Sequence, residues 1–459
     1  MLLLLAGCSL FAQSSYVRPD IEIPEQWQTA TEENTQRTEK FWESFNDPLL
    51  NDLIEKALQV NNDVRAATIK VQRARLEAGL AGTDLLPTPS ASADASFSKD
   101  LKDGNSSPNF SASAGLSYEI DLWGKYSGSY EAELLEVEAT EADRRSAALS
   151  LIGTTADLYW QIAYLKQLID LNKDSVTYAR KTLELVDTRY SAGDASRLEM
   201  IQNQRNLISK EAGLTQNLQS LAEARHAFAI LFNQAPGENP AERAGLDKTF
   251  TPQVRAGLPA EILHNRPDLF AAELRLRKVH KQIGITKAGY YPAINLSGDL
   301  GSSSMELREI LQNPAATLGI GLALPFVNWN ATRLNVEISE ADYAEAVVNF
   351  RQTLYSALSE VEDALSARIH YQDEAEKRMA SFSLALQAEE LSAIRYRAGE
   401  SRLQDWLDEQ ESRREAEQTL MENRLNQLKS AMQLFLALGG GYPDGLDEKT
   451  GMAADINYQ

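Results

Sequence analysis

Residues 110–123 read FSASAGLSYEIDLW and alternate throughout. Phe110, Ala112, Ala114, Leu116, Tyr118, Ile120 and Leu122 fall on one side, and Ser111, Ser113, Gly115, Ser117, Glu119 and Asp121 on the other. Successive side chains of a strand point to opposite faces, so the stretch predicts a strand with one apolar and one polar face. A water-soluble sheet could use this pattern by laying its apolar face on a core. A transmembrane barrel could equally lay that face on lipid and the polar one on a wet lumen. The stretch alone leaves both open.

Three further segments share the pattern. In 88–98, Ala91, Ala93, Ala95 and Phe97 alternate with Ser90, Ser92, Asp94 and Ser96. In 293–301, Ile294, Leu296, Gly298 and Leu300 alternate with Asn295, Ser297 and Asp299. From Ala316, the residues Leu318, Ile320, Leu322, Leu324 and Phe326 alternate with Thr317, Gly319, Gly321 and Ala323. Turn-rich loops, 99–109 and 302–314, join them into two hairpins, 88–122 and 293–327. Strands of about 9–11 residues cross a bilayer when tilted.

The hairpins belong to a duplication. Residues 62–89 superpose without a gap on 267–294, so that Asp63 meets Asp268, Gly79 meets Gly284 and Pro87 meets Pro292. Val64, Ala67, Val71, Ala74 and Ala78 match Leu269, Ala272, Leu276, Val279 and Ile283, a 3-4-3-4 seam that predicts a helix before each hairpin. A longer seam from Leu151 through Thr155, Leu158, Ile162, Leu165, Ile169, Asn172, Val176, Ala179, Leu183 and Val186 to Tyr190 predicts a helix over 125–190. At about 1.5 Å per residue it would be on the order of 100 Å long. It breaks at Ser191-Ala192-Gly193 and resumes over 196–232; the second copy runs over 333–396, breaks at Arg397-Ala398-Gly399 and returns over 401–438. The repeats are thus 41–245 and 246–438, with a flexible tail expected over 439–459.

The chain opens MLLLLAGCSLFAQ, too short an apolar run for a membrane span and the shape of a secretory signal. Leu5-Ala6-Gly7-Cys8 resembles the lipobox of bacterial lipoproteins, so 1–7 is expected to be a cleaved signal peptide and Cys8 the site of a covalent lipid. Ser9 after it fits delivery to the outer membrane, and the lack of a basic residue before the leucines leaves room for a start upstream of Met1. Residues 8–40 then read as a polar, lipidated extension. A net charge of −21 argues against nucleic acid, which needs a basic surface. One cysteine permits no internal disulfide, and His226, His264, His280 and His370 share no ligand spacing, so neither metal nor other cofactor is expected. No run of about 18 apolar residues exists to form a transmembrane helix. Nor is there a phosphate loop, an HExxH or a nucleophile–base constellation, so an enzyme is not indicated.

Four strands do not close a barrel, which begins at eight. Strands in a membrane would therefore be pooled between copies. Trp123, Tyr126, Tyr290, Tyr291 and Trp329 stand where strands give way to helices, as aromatics do at membrane–water boundaries; a buried aromatic cluster is the alternative. On Trp42–Phe45–Asp47-Pro48–Leu50, Tyr118-Glu119-Ile120-Asp121-Leu122-Trp123-Gly124, Arg266-Pro267-Asp268 and the paired Tyr-x-x-Gly tips, residues 41–438 resemble the TolC-type outer-membrane efflux proteins, the lipoprotein branch containing OprM and NodT. The resemblance implies a mixed α and β membrane protein, a homotrimer whose pooled strands form a 12-stranded barrel above a periplasmic tube of coiled-coil hairpins. It implies an outer-membrane efflux channel working with a periplasmic adaptor and an inner-membrane transporter of the RND type, with a type I protein-secretion channel as the alternative. By the same resemblance Tyr396, Asp405 and Asp408 match the periplasmic gate, with Arg402 as the basic partner one position from the commoner arrangement. Gly193, Ser196, Arg197, Leu198, Gly399, Ser401 and Leu403 would be adaptor-docking tips. Asp94, Glu119, Asp121 and Asp299 are expected to face the lumen and attract cations. A solvated helix surface remains the plain alternative for Asp405 and Asp408. A lone periplasmic adaptor would carry one hairpin rather than two, and a soluble coiled-coil protein would bury its strands.

Overall fold

The computed structural model describes residues 16–29, 40–102, 104, 106–238, 240–246, 251–252, 258–310, 312 and 314–440. The signal peptide and Cys8 lie outside them. In chain order the elements are α1 (Pro48–Val60), α2 (Asn62–Thr83), β1 (Thr88–Lys99), β2 (Ser106–Glu119), α3 (Lys125–Ser191) and α4 (Arg197–Leu231). There follow α5 (Ile262–Asn265), α6 (Pro267–Ala288), β3 (Ala293–Ser304), β4 (Ala315–Ala323), α7 (Trp329–Arg397) and α8 (Leu403–Ala437). Among the described residues no helix is long and apolar enough to cross a membrane.

Contacts divide the chain into two compact units, each drawing on both sequence repeats. The first comprises Thr68–Asp143, Asp268–Thr353 and the described part of Met1–Glu22. It contains one antiparallel sheet in the order β1-β2-β3-β4. Directly opposed residues of antiparallel strands share a face. Pairing sets Ala93 against Ala112 and Ala91 against Ala114, Tyr118 against Leu296, and Leu296 against Ile320 and Gly298 against Leu318. The apolar residues therefore form one face across all four strands. That face covers no core: Leu318 is 92% exposed, Ile320 76% and Leu300 56%. A soluble sheet would have buried it.

Two strands end earlier than their alternation suggests. β2 stops at Glu119 and β4 at Ala323, where Pro325 begins a short 3-10 turn, so Leu324 and Phe326 lie beyond the sheet. β3 instead runs on to Ser304. In the same unit, α6 packs on α3 through Ala271 and Leu274 against Ala139 and Ala142. Charges flank this contact, with Arg275 reaching Glu136 at 3.2 Å and Lys278 reaching Glu133 at 3.1 Å. The N-terminal segment is seated here too. Glu273, buried on α6, accepts from Arg18 Nε at 3.2 Å and Arg277 Nη2 at 2.7 Å. Burial alone would raise that carboxyl, but the two guanidiniums outweigh it and hold it below its ordinary value.

The second unit comprises Ile23–Ala67, Arg144–Pro267 and the described part of Leu354–Gln459. Its core joins Phe41, Trp42, Phe45, Leu50 and Ile54 to Ile152, Tyr159, Trp160 and Ile162 of α3 and to Leu428, Ala431 and Met432 of α8. α3 therefore buries a second stripe beside the heptad seam over this stretch, because the segment before and within α1 covers it. Asp47 locks that cover in place. As N-cap of α1 it accepts from the Leu50 N–H at 3.3 Å, and its other oxygen accepts from the Tyr159 hydroxyl at 3.0 Å and Arg243 Nη1 at 2.5 Å. Burial, with the Asp47 charge beside it, pushes the Tyr159 hydroxyl upward. Asp47→Ala should cost about 3 kcal/mol, the sum of a lost cap and two stranded partners. Asp47→Asn, which keeps the cap, should cost about half as much; urea unfolding midpoints of the purified variants check both.

Arg266 explains its own motif, donating to the Ala437 carbonyl at 3.1 Å and pairing with Glu360 at 2.7 Å. The tail does not begin at residue 439 as expected. A Cβ on Gly439 would lie 2.3 Å from the Asn265 carbonyl oxygen, and Gly440 packs on Leu149 and Phe41. The rest of the tail lies outside the described residues.

Candidate functional site

The two hairpin tips are built alike. Gly193 (φ 83°) and Gly399 (φ 75°) take the left-handed conformation. Each is followed by a 6→1 hydrogen bond, Asp194 N–H to Arg189 C=O at 2.8 Å and Glu400 N–H to Arg395 C=O at 2.9 Å. This is the glycine-terminated helix end that satisfies orphan carbonyls. Ser196 caps α4 by accepting from the Glu199 N–H at 3.1 Å. Arg197 and Leu198 follow it exposed, whereas Ser401 is half-buried. Leu403, expected at a docking tip, is buried at 6% exposure, unlike its counterpart Leu198. Arg189, which the sequence did not single out, ties the first tip by reaching Asp194 at 3.3 Å and Glu199 at 3.4 Å.

At the second tip Arg402 and Asp405 do meet. The Asp405 carboxylate accepts from Arg402 Nη2 at 2.8 Å and from the Arg402 backbone N–H at 3.0 Å, fixing the first turn of α8. The Arg402 hydrogen bond holds the Asp405 carboxyl below its ordinary value. A lowered pKa means the pair is fully present above the ordinary carboxylate range and is lost as pH falls through the depressed value. Asp408 accepts from Gln404 Nε2 at 2.6 Å. Tyr396 touches neither aspartate; its ring stacks on Trp406, centroids 5.4 Å apart and 26° between planes. Trp406 carries no signal in the sequence, because a ring contact between two helices leaves no spacing to read.

On the sheet, the polar face carries Asp94 and Asp299. Asp94 stands opposite Ser111 and Asp299 opposite both Gly115 and Thr317. A Cβ on Gly115 would lie 2.6 Å from Asp299 Oδ1 and 2.8 Å from Ser90 Oγ, so the glycine gives the carboxylate its place. Glu119 ends β2 and pairs with Lys125 at 3.1 Å. Asp121, expected to face the lumen, stands outside the strands. It lies past the strand and accepts from the backbone N–H groups of Tyr126 (3.1 Å) and Ser127 (2.8 Å), capping α3. Trp123 donates its indole N–H to the Pro292 carbonyl at 2.8 Å, and its ring lies 4.9 Å from that of Tyr291. The Tyr290 hydroxyl accepts from Asn335, and Trp329 opens α7 at 64% exposure.

An apolar sheet face that covers no core among the described residues, a polar opposite face, edges left unpaired there and paired helical hairpins define a channel-forming membrane protein. The family described as outer membrane efflux protein matches residues 53–233 and 258–440, one match in each repeat, and the chain belongs to it. It is 30% identical over 462 residues to the pyoverdine export outer membrane protein OpmQ of Pseudomonas putida, covering 96% of this chain and 97% of that one. To the cation efflux system protein CusC of Escherichia coli it is 27% identical, covering 96% and 97%. Among solved structures it is similar to the open state of the Neisseria gonorrhoeae MtrE outer membrane channel, with a TM-score of 0.84 and 29% identity over 94% of this chain and 98% of that one. The fold is that of the TolC-type channels, four strands and two long helical hairpins per chain for a shared barrel and tube. The chain is the outer-membrane channel of a tripartite efflux pump, and these matches favour efflux over the protein-secretion alternative.

Proposed function

We propose that three copies of this chain pool their sheets into a 12-stranded barrel that conducts small solutes outward, and that the tips of the helical hairpins gate and dock it. The apolar face spanning all four strands, fully formed yet covering nothing among the described residues, carries this reading. The unpaired edges of β1 and β4 give each copy two neighbours, and Asp94 and Asp299 then line a cation-attracting lumen. The names of the relatives, pyoverdine export and cation efflux, support small solutes as cargo. The exposed Arg197 and Leu198, with the two tip glycines, suit a periplasmic adaptor, which couples the tube to an inner-membrane transporter of the RND type. Tyr396, Arg402, Asp405 and Asp408 form the gate.

Purified protein in planar bilayers should give discrete, cation-selective conductance steps; a protein that never conducts would refute the reading. Cys8 carries the lipid that anchors the extension. Cys8→Ser should abolish incorporation of labelled palmitate while the protein still assembles, and undiminished labelling would remove Cys8 as the attachment site.

A further inference from the structure

We propose that Trp406 is a positioning residue of the gate, an aromatic clasp that holds Tyr396 of the second hairpin against Tyr178 of the first. The inference rests on the gate reading above. The Trp406 indole, at the start of α8, stacks on Tyr396 near the end of α7. Its edge meets Tyr178 of α3, centroids 6.0 Å apart and planes at 86°. The far face of the cluster is closed by the Arg414 guanidinium, 5.7 Å from the Tyr178 ring centre. All three rings are half-buried. The indole N–H is buried without a hydrogen-bond partner among the described residues, so Trp406 holds by its ring, while the Tyr178 hydroxyl is also hydrogen-bonded to the Gln410 side chain of α8.

The charged residues of the tip do not make this link. Arg402–Asp405 and Gln404–Asp408 lie within the first turns of α8, and fix only that helix start. Between the hairpins, the clasp is joined by the ion pair of Lys210 on α4 with Glu411 on α8. Salt screens an ion pair and leaves ring stacking nearly untouched. Beside Tyr178 lies a cavity of about 430 Å³ lined by Asn203, Lys210, Asp408 and Glu411 among others. Parting the rings therefore opens onto polar space instead of tearing a packed core, as a reversible contact requires. Any outward swing of the second hairpin's tip from α3 must break the Trp406–Tyr178 contact.

The test compares open-channel fractions in planar bilayers for wild type, Trp406→Phe, Trp406→Ala, Tyr178→Leu and Asp405→Ala/Asp408→Ala. Ring pairs of this geometry shift an equilibrium by about two- to tenfold. Trp406→Ala, which removes both contacts, should raise the open fraction about tenfold, and Tyr178→Leu should act in the same direction. Trp406→Phe keeps the ring and should stay within about twofold of wild type. Tyr178→Leu leaves α8 untouched and decides the matter if Trp406→Ala fails to assemble. The emission difference between proteins with and without Trp406 should shift to the red in the Asp405→Ala/Asp408→Ala background. If the aspartate variant opens the pore but Trp406→Ala and Tyr178→Leu do not, the clasp is overturned and the gate stands. If none opens it, both fall; if Trp406→Phe opens it as much as Trp406→Ala, stacking is not the hold.

Discussion

Arginine at position 318 is expected to abolish assembly in the outer membrane, and arginine at the adjacent position 317 to leave it intact. Leu318 sits mid-strand in β4 on the apolar face, opposite Gly298. A cation on the lipid face near the bilayer midplane costs about 2–4 kcal/mol, and three copies bring the total to roughly 6–12 kcal/mol. That is comparable with the whole stability of a typical folded domain, about 5–15 kcal/mol. Thr317 points the other way and stands opposite Asp299, so arginine there meets a carboxylate and water. Thr317→Arg should accumulate normally in the outer membrane and lose part of its cation preference. The fraction of each variant recovered from outer membranes, followed by its selectivity in bilayers, checks the pair. Equal assembly of both variants would mean that the alternation does not separate lipid from lumen.

Asp405→Ala/Asp408→Ala should open the pore and weaken its cation selectivity. The change removes two carboxylates per copy, six in three copies, and takes away the group that fixes the start of α8 through Arg402. Freed of its partner, Arg402 turns the named gate residues from net negative to net positive. Wild type is expected to show a low-conductance, cation-selective pore, and the double variant a severalfold larger conductance with less preference for cations. Since the Arg402 contact depresses the Asp405 carboxyl, wild type should resist acid-induced opening until the pH falls below the ordinary carboxylate range. Identical traces from the two proteins would remove these aspartates from the gate while leaving the fold as it is.

What the sequence made legible was whatever repeats. Period-two alternation found all four strands and their shared faces, and the 3-4 seam found the long helices to within a few residues at most ends. The errors fall where alternation or repetition continued beyond its physical cause. Ile120-Asp121-Leu122 still alternates, but β2 has ended and Asp121 is spent on the N–H groups that begin α3. Leu324 and Phe326 keep the beat past Pro325, which cannot. Leu403 copies Leu198 in sequence, yet only Leu198 is presented to solvent. Contacts between segments far apart left no trace at all. Tyr178 and Trp406 meet across two hairpins, and the role of Asp47 became visible only with Tyr159 and Arg243 beside it.

The pooling of sheets between copies is tested most directly by native mass spectrometry of the protein extracted from outer membranes in mild detergent, with a lipid-soluble label reporting on Leu116 and Leu322. The expected result is a complex of three times the chain's mass in which both leucines lie within reach of the label. A monomer that stays soluble without detergent and shields both leucines would contradict the account.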